Sequence, residues 1–331
     1  MLATVTPTAS PIQATPTPSP GCSVNPPLSG ITGPPLVAVP GPTPADGTTL
    51  QWRIFSPGGS GPWPAILLVH GGGFDDGDPQ GGAIETVAGQ LTDAGYYVAV
   101  PTYRLAPWGL ITNQVCHDAT HDPDGLSGRP PEQSDDIKAE VIALRADSHC
   151  NGKVGVIGGS GGGTWAVWAA LDTNSSGNAY PFWNASKRAD CAVGISGAYE
   201  FDDRTPEEYG SDILPTFIRK VENYTNTTDP VAQHGFSPVA LVTTPSQQFP
   251  FKPLFLINSI HDFMPYHQIV DMICELEAHN VPNSDYQVLT IPGNGHSFAN
   301  WFNWDGFEPV GSSPSRNAGY NVILFLDAKL K

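Results

Sequence analysis

From Asp46 onward the sequence alternates short apolar runs with stretches whose apolar residues recur at helical spacing. Strands that are buried on both faces appear as nearly continuous apolar runs, and helices between them are typical of parallel sheets. The predicted strands are 50–55, 65–69, 97–102, 154–157, 191–195, 254–257 and 286–291, and the clearest predicted helices are 133–145, 164–171, 266–279 and 318–330. The alternation predicts an α/β fold with a largely parallel sheet flanked by helices.

The first 45 residues differ in composition from the rest of the chain. They contain no charged side chain and hold 12 of the 34 prolines, interleaved with threonine and serine. Such a segment has too few apolar residues to fold alone and favours an extended, linker-like state. We therefore predict a tail over 1–45 and a catalytic-size domain over 46–331. The tail is either a tether to another module or an inert segment.

The formal net charge of -17 excludes several classes of partner. A phosphate backbone or an anionic membrane surface would be repelled, so we expect neither nucleic-acid nor membrane binding. No apolar run reaches the roughly 18 residues that a membrane span needs. We expect a secreted protein whose signal peptide is not part of this sequence.

The five cysteines show no CxxC spacing, which argues against a zinc site and a thioredoxin-type redox site. Cys116 and Cys150 flank a loop-rich stretch suited to a disulfide staple, and a staple favours an oxidising compartment. The alternative is scattered free thiols, with Cys191 buried in a strand.

The sharpest motif is the run Gly158-Gly159-Ser160-Gly161-Gly162 between a predicted strand and a predicted helix. This is the context of a nucleophile elbow, in which a serine occupies a strained turn. Glycines two residues before and after it avoid collisions across the bend. A glycine-rich loop or a phosphate cradle is the alternative, but no Walker-type lysine follows.

A second glycine motif, His70-Gly71-Gly72-Gly73, ends the strand predicted at 65–69. A tetrahedral oxyanion needs converging backbone N–H donors, and glycines let the backbone approach it closely. We predict that Gly72, Gly73 and Gly161 form the oxyanion hole. A simple tight turn is the alternative.

The base and its orienting acid are expected after the serine, in the order serine, acid, histidine. His296 lies in a glycine-containing turn directly after the last predicted strand, which favours it among the nine histidines. Asp262 follows the strand at 254–257, where a carboxylate would hold the imidazole tautomer. His261 and Asp271 are the nearby alternatives, and the position of Asp271 inside a helix directs it elsewhere.

Two further features have less specific signals. The loop containing His117, Asp118, His121, Asp122 and Asp124 has ligand types suited to a metal, but its spacing fits no defined metal loop, which favours a solvated acidic loop and no metal. Trp301 and Trp304 follow His296 closely, and we consider them as a platform for a sugar or aromatic ring, with core packing as the alternative.

With these residues in place, the chain resembles carboxylesterases related to hormone-sensitive lipase and the neighbouring feruloyl and acetyl-xylan esterases. The likeness spans roughly residues 64–331 and implies the α/β-hydrolase fold. Besides the two glycine motifs, it rests on the segment 103–107, on Asp136 with Ile137, on Ser196-Gly197 and on Phe236-Ser237-Pro238.

The chain also departs from that group. Gly159 precedes the serine where lipase-like members usually carry an acidic residue, and Gly161 follows it where they carry alanine. Ser259 stands where a glycine commonly precedes the acid. Residues 1–45 cannot form the helical N-terminal cap of the lipase-like members, so we expect a fold without this cap and a more open pocket. This favours the polysaccharide esterases over long-chain lipases.

The resemblance and the motifs together predict hydrolysis of carboxylic esters through an acyl-enzyme, with no metal or organic cofactor needed. The expected substrates are short-chain acyl or hydroxycinnamoyl esters, such as acetyl or feruloyl esters, of plant polysaccharide. The alternatives are a polyester hydrolase, a serine peptidase of the same fold and a noncatalytic binding module of the same fold.

Overall fold

The computed structural model describes residues 33–41, 49–80, 82–107, 128–173, 184–206, 213–247, 249–303, 305 and 316–331. Its strands are β1 (Leu36–Ala38), β2 (Gln51–Phe55), β3 (Trp63–Val69), β4 (Tyr97–Pro101), β5 (Cys150–Gly159), β6 (Cys191–Ile195), β7 (Leu254–Ser259) and β8 (Tyr286–Ile291). They form one sheet in the order β1-β2-β4-β3-β5-β6-β7-β8. Only the β1–β2 and β2–β4 pairs are antiparallel. The seven predicted strands and the largely parallel sheet are therefore confirmed.

Helices cover both faces of this sheet. They are α1 (Gly82–Asp93), α2 (Glu132–Ala146), α3 (Gly161–Leu171), α4 (Leu214–Thr225), α5 (Pro230–Gly235), α6 (His267–Ala278), α7 (Ala299–Phe302) and α8 (Ala318–Leu330), with two short 3₁₀ helices at Ala185–Lys187 and Pro238–Leu241. The prediction of helices near 133–145, 164–171, 266–279 and 318–330 is confirmed.

The alternation of side chains along β3 divides the core into two clusters. Leu67 packs into the cluster that α2, α3 and α6 cover, whereas its neighbours Ile66 and Leu68 pack into the one beneath α1 and α8. Successive strand residues point to opposite faces, so a strand buried on both sides needs apolar residues at every position. This is why β3 is an unbroken apolar run.

Part of the predicted tail belongs to the sheet. β1 pairs with β2, with Leu36 opposite Arg53. The buried Arg53 side chain also donates to Pro34 O at 2.7 Å and forms an ion pair with Glu85 at 2.5 Å. Residues 33–41 therefore do not have the linker state expected for all of 1–45. A three-residue strand among prolines carries no alternation that sequence reasoning could detect. Residues 1–32 and 42–48 lie outside the described residues, so the linker and the missing cap stay predictions.

The described part of the region between β6 and β7 lies at the carboxyl edge of the sheet. It forms α4, α5 and a 3₁₀ helix, and Ile213, Thr216, Phe217 and Lys220 line a cavity at that edge. This region therefore contributes to the wall of that cavity.

The structure also bears on the cysteines and on the expected absence of a membrane span. Cys150 is a free thiol, so it does not form the suggested staple with Cys116, which lies outside the described residues. Cys191 is a fully buried free thiol in β6, as the alternative interpretation predicts. Across the part of the chain that the structure describes, every helix is too short or too polar to cross a membrane.

Candidate active site

Ser160 occupies a sharp turn between β5 and α3. Its backbone has φ 55° and ψ -127°, a left-handed conformation that is strained for a residue with a side chain. A methyl group on Gly158 would overlap the carbonyl oxygen of Gly162, and one on Gly162 would overlap that of Val69. The Ser160 N–H donates to Ile195 O of β6 at 2.8 Å. The flanking glycines and this anchor allow the elbow that the sequence predicts, and Ser160 lines the cavity at the carboxyl edge.

His296 and Asp262 meet at the same edge, although 34 residues separate them in sequence. His296 Nδ1 lies 2.5 Å from Asp262 Oδ1, and the Asp262 carboxylate has no exposed side-chain surface. The Met264 N–H also donates to Oδ1 at 2.9 Å. Because the carboxylate accepts a hydrogen bond from the Nδ1–H group, Nε2 is left without a proton and can act as the acceptor. His296 lines the cavity together with Ser160.

The other oxygen of Asp262 is held by residues that sequence reasoning gave no role. Ser196 Oγ donates to Asp262 Oδ2 at 2.5 Å, and Asn300 Nδ2 approaches the same oxygen at 3.3 Å. Asn300 is fixed in turn by Ser259, whose hydroxyl donates to its side-chain oxygen at 2.6 Å. These hydrogen bonds fix the position of the buried carboxylate. The only sequence signals were the Ser196-Gly197 landmark and the serine at 259.

The glycine loop after β3 curves around the same cavity. Gly72 and Gly73 have φ values of 133° and 60°, and both line the cavity with Gly161, the first residue of α3. The next residue, Phe74, accepts hydrogen bonds at its carbonyl oxygen from Gln133 Nε2 at 2.7 Å and from Ala106 N at 2.8 Å. The three glycines predicted to form the oxyanion hole are thus brought together beside Ser160. The N-terminus of α3 adds a favourable dipole for negative charge there.

His70, which begins this loop, is unsuited to act as a base. Burial is the main reason that its pKa falls to about 4, so the imidazole is neutral at neutral pH. Its Nδ1 lies 2.8 Å from Gly71 O, and its ring stacks on Tyr103 with centroids 4.4 Å apart. Tyr103 in turn donates to His70 O at 2.9 Å. These contacts fix the loop that carries the glycines.

The segment 103–107, which follows β4, also supports this edge. Arg104 and Asp136 form a buried pair in which Arg104 Nη2 donates to Asp136 Oδ1 at 2.7 Å and Arg104 Nε donates to Oδ2 at 2.9 Å. A buried bidentate pair fixes the relative position of two elements. It therefore connects α2, which carries Gln133, to the chain after β4.

The cavity has a volume of about 650 Å³ and a mostly apolar wall. Its apolar lining residues are Phe74, Ile84, Ile213, Phe217, Phe263, Met264, Pro265 and Phe298. Phe263 differs from most of them because 54% of it is exposed. Lys220 forms an ion pair with Asp75 and packs its methylene groups against Gly73, which connects α4 to the glycine loop.

The predicted tryptophan platform is wrong for Trp301. Its side chain is completely buried, packs in the core beneath α8 and donates from Nε1 to Gln90 Oε1 at 2.7 Å. The short helix α7 turns it inward, away from the cavity. Trp304 and the loop from His117 to Asp124 lie outside the described residues, so neither prediction is tested.

The alternative acid lies elsewhere. Asp271, on α6, lines a separate pocket with Glu200 and Asp203. Burial is the main cause that raises its pKa to about 6, followed by the charge of Asp203. It therefore takes no part in holding His296.

One group among the described residues has ligand atoms close enough to hold a metal ion. Atoms of Glu200, Asp202 and His234 lie within 4.8 Å of one another. His234 Nδ1 is 2.9 Å from Glu200 Oε2, and Glu200 also accepts from Ser237 Oγ at 3.0 Å. None of these residues lines the cavity that contains Ser160. The group is therefore separate from the candidate active site.

Comparisons with known proteins identify the fold. No protein-family model matches the chain, and no curated protein matches its sequence. Solved structures do match it. An acetyl ester-xyloside bifunctional hydrolase from Caldicellulosiruptor lactoaceticus is 17% identical with a TM-score of 0.60, over 91% of this chain and 98% of that chain. Apo esterase 2 from Thermogutta terrifontis is 16% identical with a TM-score of 0.56, over 90% of this chain and 93% of that chain. With its sheet order and flanking helices, the chain has the α/β-hydrolase fold.

Proposed function

We propose that this protein is a serine hydrolase of carboxylic esters that works through an acyl-enzyme. The observation that carries the proposal is the hydrogen bond of the buried Asp262 carboxylate to His296, whose side chain lines the cavity together with Ser160 and the glycine loop. A nucleophile, a base and a group that orients the base are the parts that acyl transfer requires. The structural neighbours described above are named as ester hydrolases, which supports the same reaction class.

The proposed reaction has two halves. Ser160 Oγ attacks the ester carbonyl carbon while His296 Nε2 takes the hydroxyl proton. The carbonyl oxygen becomes an oxyanion that accepts from the backbone N–H groups of Gly72, Gly73 and Gly161. The bond to the alcohol oxygen then breaks, and the imidazolium gives its proton to that oxygen. A water molecule attacks the acyl-enzyme in the same way, which releases the acid and restores Ser160.

The proposed substrates are short-chain acyl or hydroxycinnamoyl esters of plant polysaccharide. A largely apolar cavity accepts such acyl groups. It opens to solvent at the exposed side chain of Phe263, so a large alcohol part has room there. The resemblance to feruloyl and acetyl-xylan esterases supports the same class. Because polysaccharide lies outside cells, we also propose that the protein is secreted and tethered through its N-terminal tail.

A serine peptidase of the same fold is the second candidate. Asp76 and Asp78 line the cavity and would attract the amine of a peptide. Hydrolysis of aminoacyl anilides at rates above those for esters would identify this activity.

A substrate series tests the proposal. We would measure kcat/KM for chromogenic esters from acetyl to long acyl chains, with methyl ferulate and acetylated xylan alongside, and use Ser160→Ala as the background. We expect cleavage of the short esters or of methyl ferulate, and a loss of several orders of magnitude in the variant. A wild-type protein that cleaves none of these esters would contradict the proposal and favour a noncatalytic binding module.

A further inference from the structure

The order of the strands separates the two sides of the cavity. The glycine loop follows β3, Ser160 follows β5, and Asp262 and His296 follow β7 and β8. Because the sheet order is β3-β5-β6-β7-β8, the glycine loop and the histidine lie on opposite sides of the serine. A bound ester therefore directs its carbonyl oxygen toward β3 and another part of itself toward β8.

The proton transfer from His296 determines which part of the ester lies near β8. His296 must donate its proton to the alcohol oxygen as the ester bond breaks, and this transfer requires hydrogen-bond distance. The alcohol part of the ester therefore lies against the residues beside His296.

Among the described residues that line the cavity on that side, Phe263 is an exposed aromatic residue, whereas Phe298 is buried. Phe263 follows Asp262 directly, and its ring lies 5.5 Å from the His296 ring with an angle of 71° between their planes. The side chain lines the cavity and remains 54% exposed. Removing a large apolar ring from water is favourable, so a ligand that packs on this exposed ring binds more tightly.

We infer that Phe263 is a specificity-determining residue whose exposed ring binds the alcohol part of the ester. This inference rests on the proposed ester hydrolysis. A flat aromatic face packs well against another flat apolar face, which a sugar ring and an arene both provide. The enzyme therefore prefers esters whose alcohol part carries a ring over esters of small open-chain alcohols. Phe263 thus takes the role that the sequence suggested for Trp301.

The experiment compares three acetates that differ only in their alcohol: ethyl acetate, benzyl acetate and an O-acetylated methyl xyloside. The variants are Phe263→Ala, which removes the ring, and Phe263→Tyr, which keeps it. Phe302→Ala is the matched control, because Phe302 is also a partly exposed phenylalanine near His296 in sequence but does not line the cavity.

In Phe263→Ala we expect the ratio of kcat/KM for a ring-bearing acetate to that for ethyl acetate to fall about tenfold. The change should appear mainly in KM, because the ring contact is made equally in the ground state and the transition state. Phe263→Tyr and Phe302→Ala should keep the wild-type ratios. A fall for benzyl acetate, for the xyloside or for both supports the inference and identifies the ring that binds.

Two results would overturn the inference. If all three acetates lose kcat together in Phe263→Ala, the ring only positions His296. If no ratio changes, the ring does not touch the substrate. A wild-type protein inert on all three acetates would instead refute the proposed ester hydrolysis itself.

Discussion

Removal of the Ser196 hydroxyl tests whether the hydrogen bonds around Asp262 support catalysis. In Ser196→Ala, Asp262 Oδ2 loses its 2.5 Å hydrogen bond and keeps only the longer contact of 3.3 Å from Asn300 Nδ2. A hydrogen bond to a charged group contributes about 1.5 to 3 kcal/mol. If the whole of this contribution is lost from the stabilisation of the transition state, the range corresponds to a rate loss of about 10-fold to 150-fold.

We expect a loss near the lower end, about tenfold in kcat, because Asn300 and the Met264 N–H still hold the carboxylate. KM should change little, since Ser196 does not line the cavity. The substitution also leaves the Ser297 N–H without the acceptor that it has at 2.9 Å, which should lower the free energy of unfolding by about 1 to 3 kcal/mol. The backbone itself is not a concern, because alanine and serine tolerate the φ of 54° about equally.

The assay is steady-state kinetics on a short chromogenic ester together with urea unfolding. Ser259→Ala is the matched control, because its hydroxyl binds Asn300 and not Asp262. Its effect on kcat should be smaller than that of Ser196→Ala. An unchanged kcat in Ser196→Ala, or a larger loss in Ser259→Ala, would refute the role assigned to this network.

Three further predictions concern stability. The pKa of His70 is about 4 when folded against 6.5 when exposed, so the unfolded state binds the proton first as pH falls. The free energy of unfolding should therefore decrease by about 3 kcal/mol between pH 6.5 and pH 4. In urea titrations, His70→Asn should reduce this dependence of the unfolding free energy on pH. An unchanged pH dependence would contradict the assignment. Burial raises the pKa of Glu140, whose oxygens have no hydrogen-bond partner among the described residues. Glu140→Gln should raise the denaturation midpoint at pH 8 and leave it unchanged well below pH 4.5, where the carboxyl is neutral in both states. An equal change at both pH values would argue against this. Gly162→Ala should cost about 3 kcal/mol in thermal unfolding and abolish esterase activity, because its methyl group would overlap the carbonyls of Val69 and His70; a stable, active variant would show that the elbow can relax.

The strands of this fold were predictable because each central strand is buried on both faces and leaves an apolar run in the sequence. The edge strand β1 was not, since its residues are partly exposed and only three form pairs. The helix α4 also escaped prediction. Its apolar residues Phe217, Val221 and Tyr224 recur at helical spacing, but the prolines and asparagines around it weaken the helical pattern.

The positions at the carboxyl edge were predictable because strand ends and chain order restrict where a serine, an acid and a histidine can meet. The support around Asp262 was not. Ser196 and Asn300 lie 66 and 38 residues from the carboxylate that they hold, and no local pattern records such contacts. Trp301 shows the opposite error, because a local pattern predicted a contact that the structure does not contain. Trp301 is five residues from His296 in sequence, but this separation does not determine the direction of its side chain, which is buried.

The most direct test of the central claim is the site of covalent modification by a fluorophosphonate, which reacts with an activated serine. We would incubate the wild-type protein with the reagent, follow ester hydrolysis and map the adduct by peptide mass spectrometry, with Ser160→Ala in parallel. We predict one adduct, on Ser160, whose formation matches the loss of activity, and no adduct in the variant. Labelling at another residue, or full activity in Ser160→Ala, would contradict the assignment of Ser160 as the nucleophile.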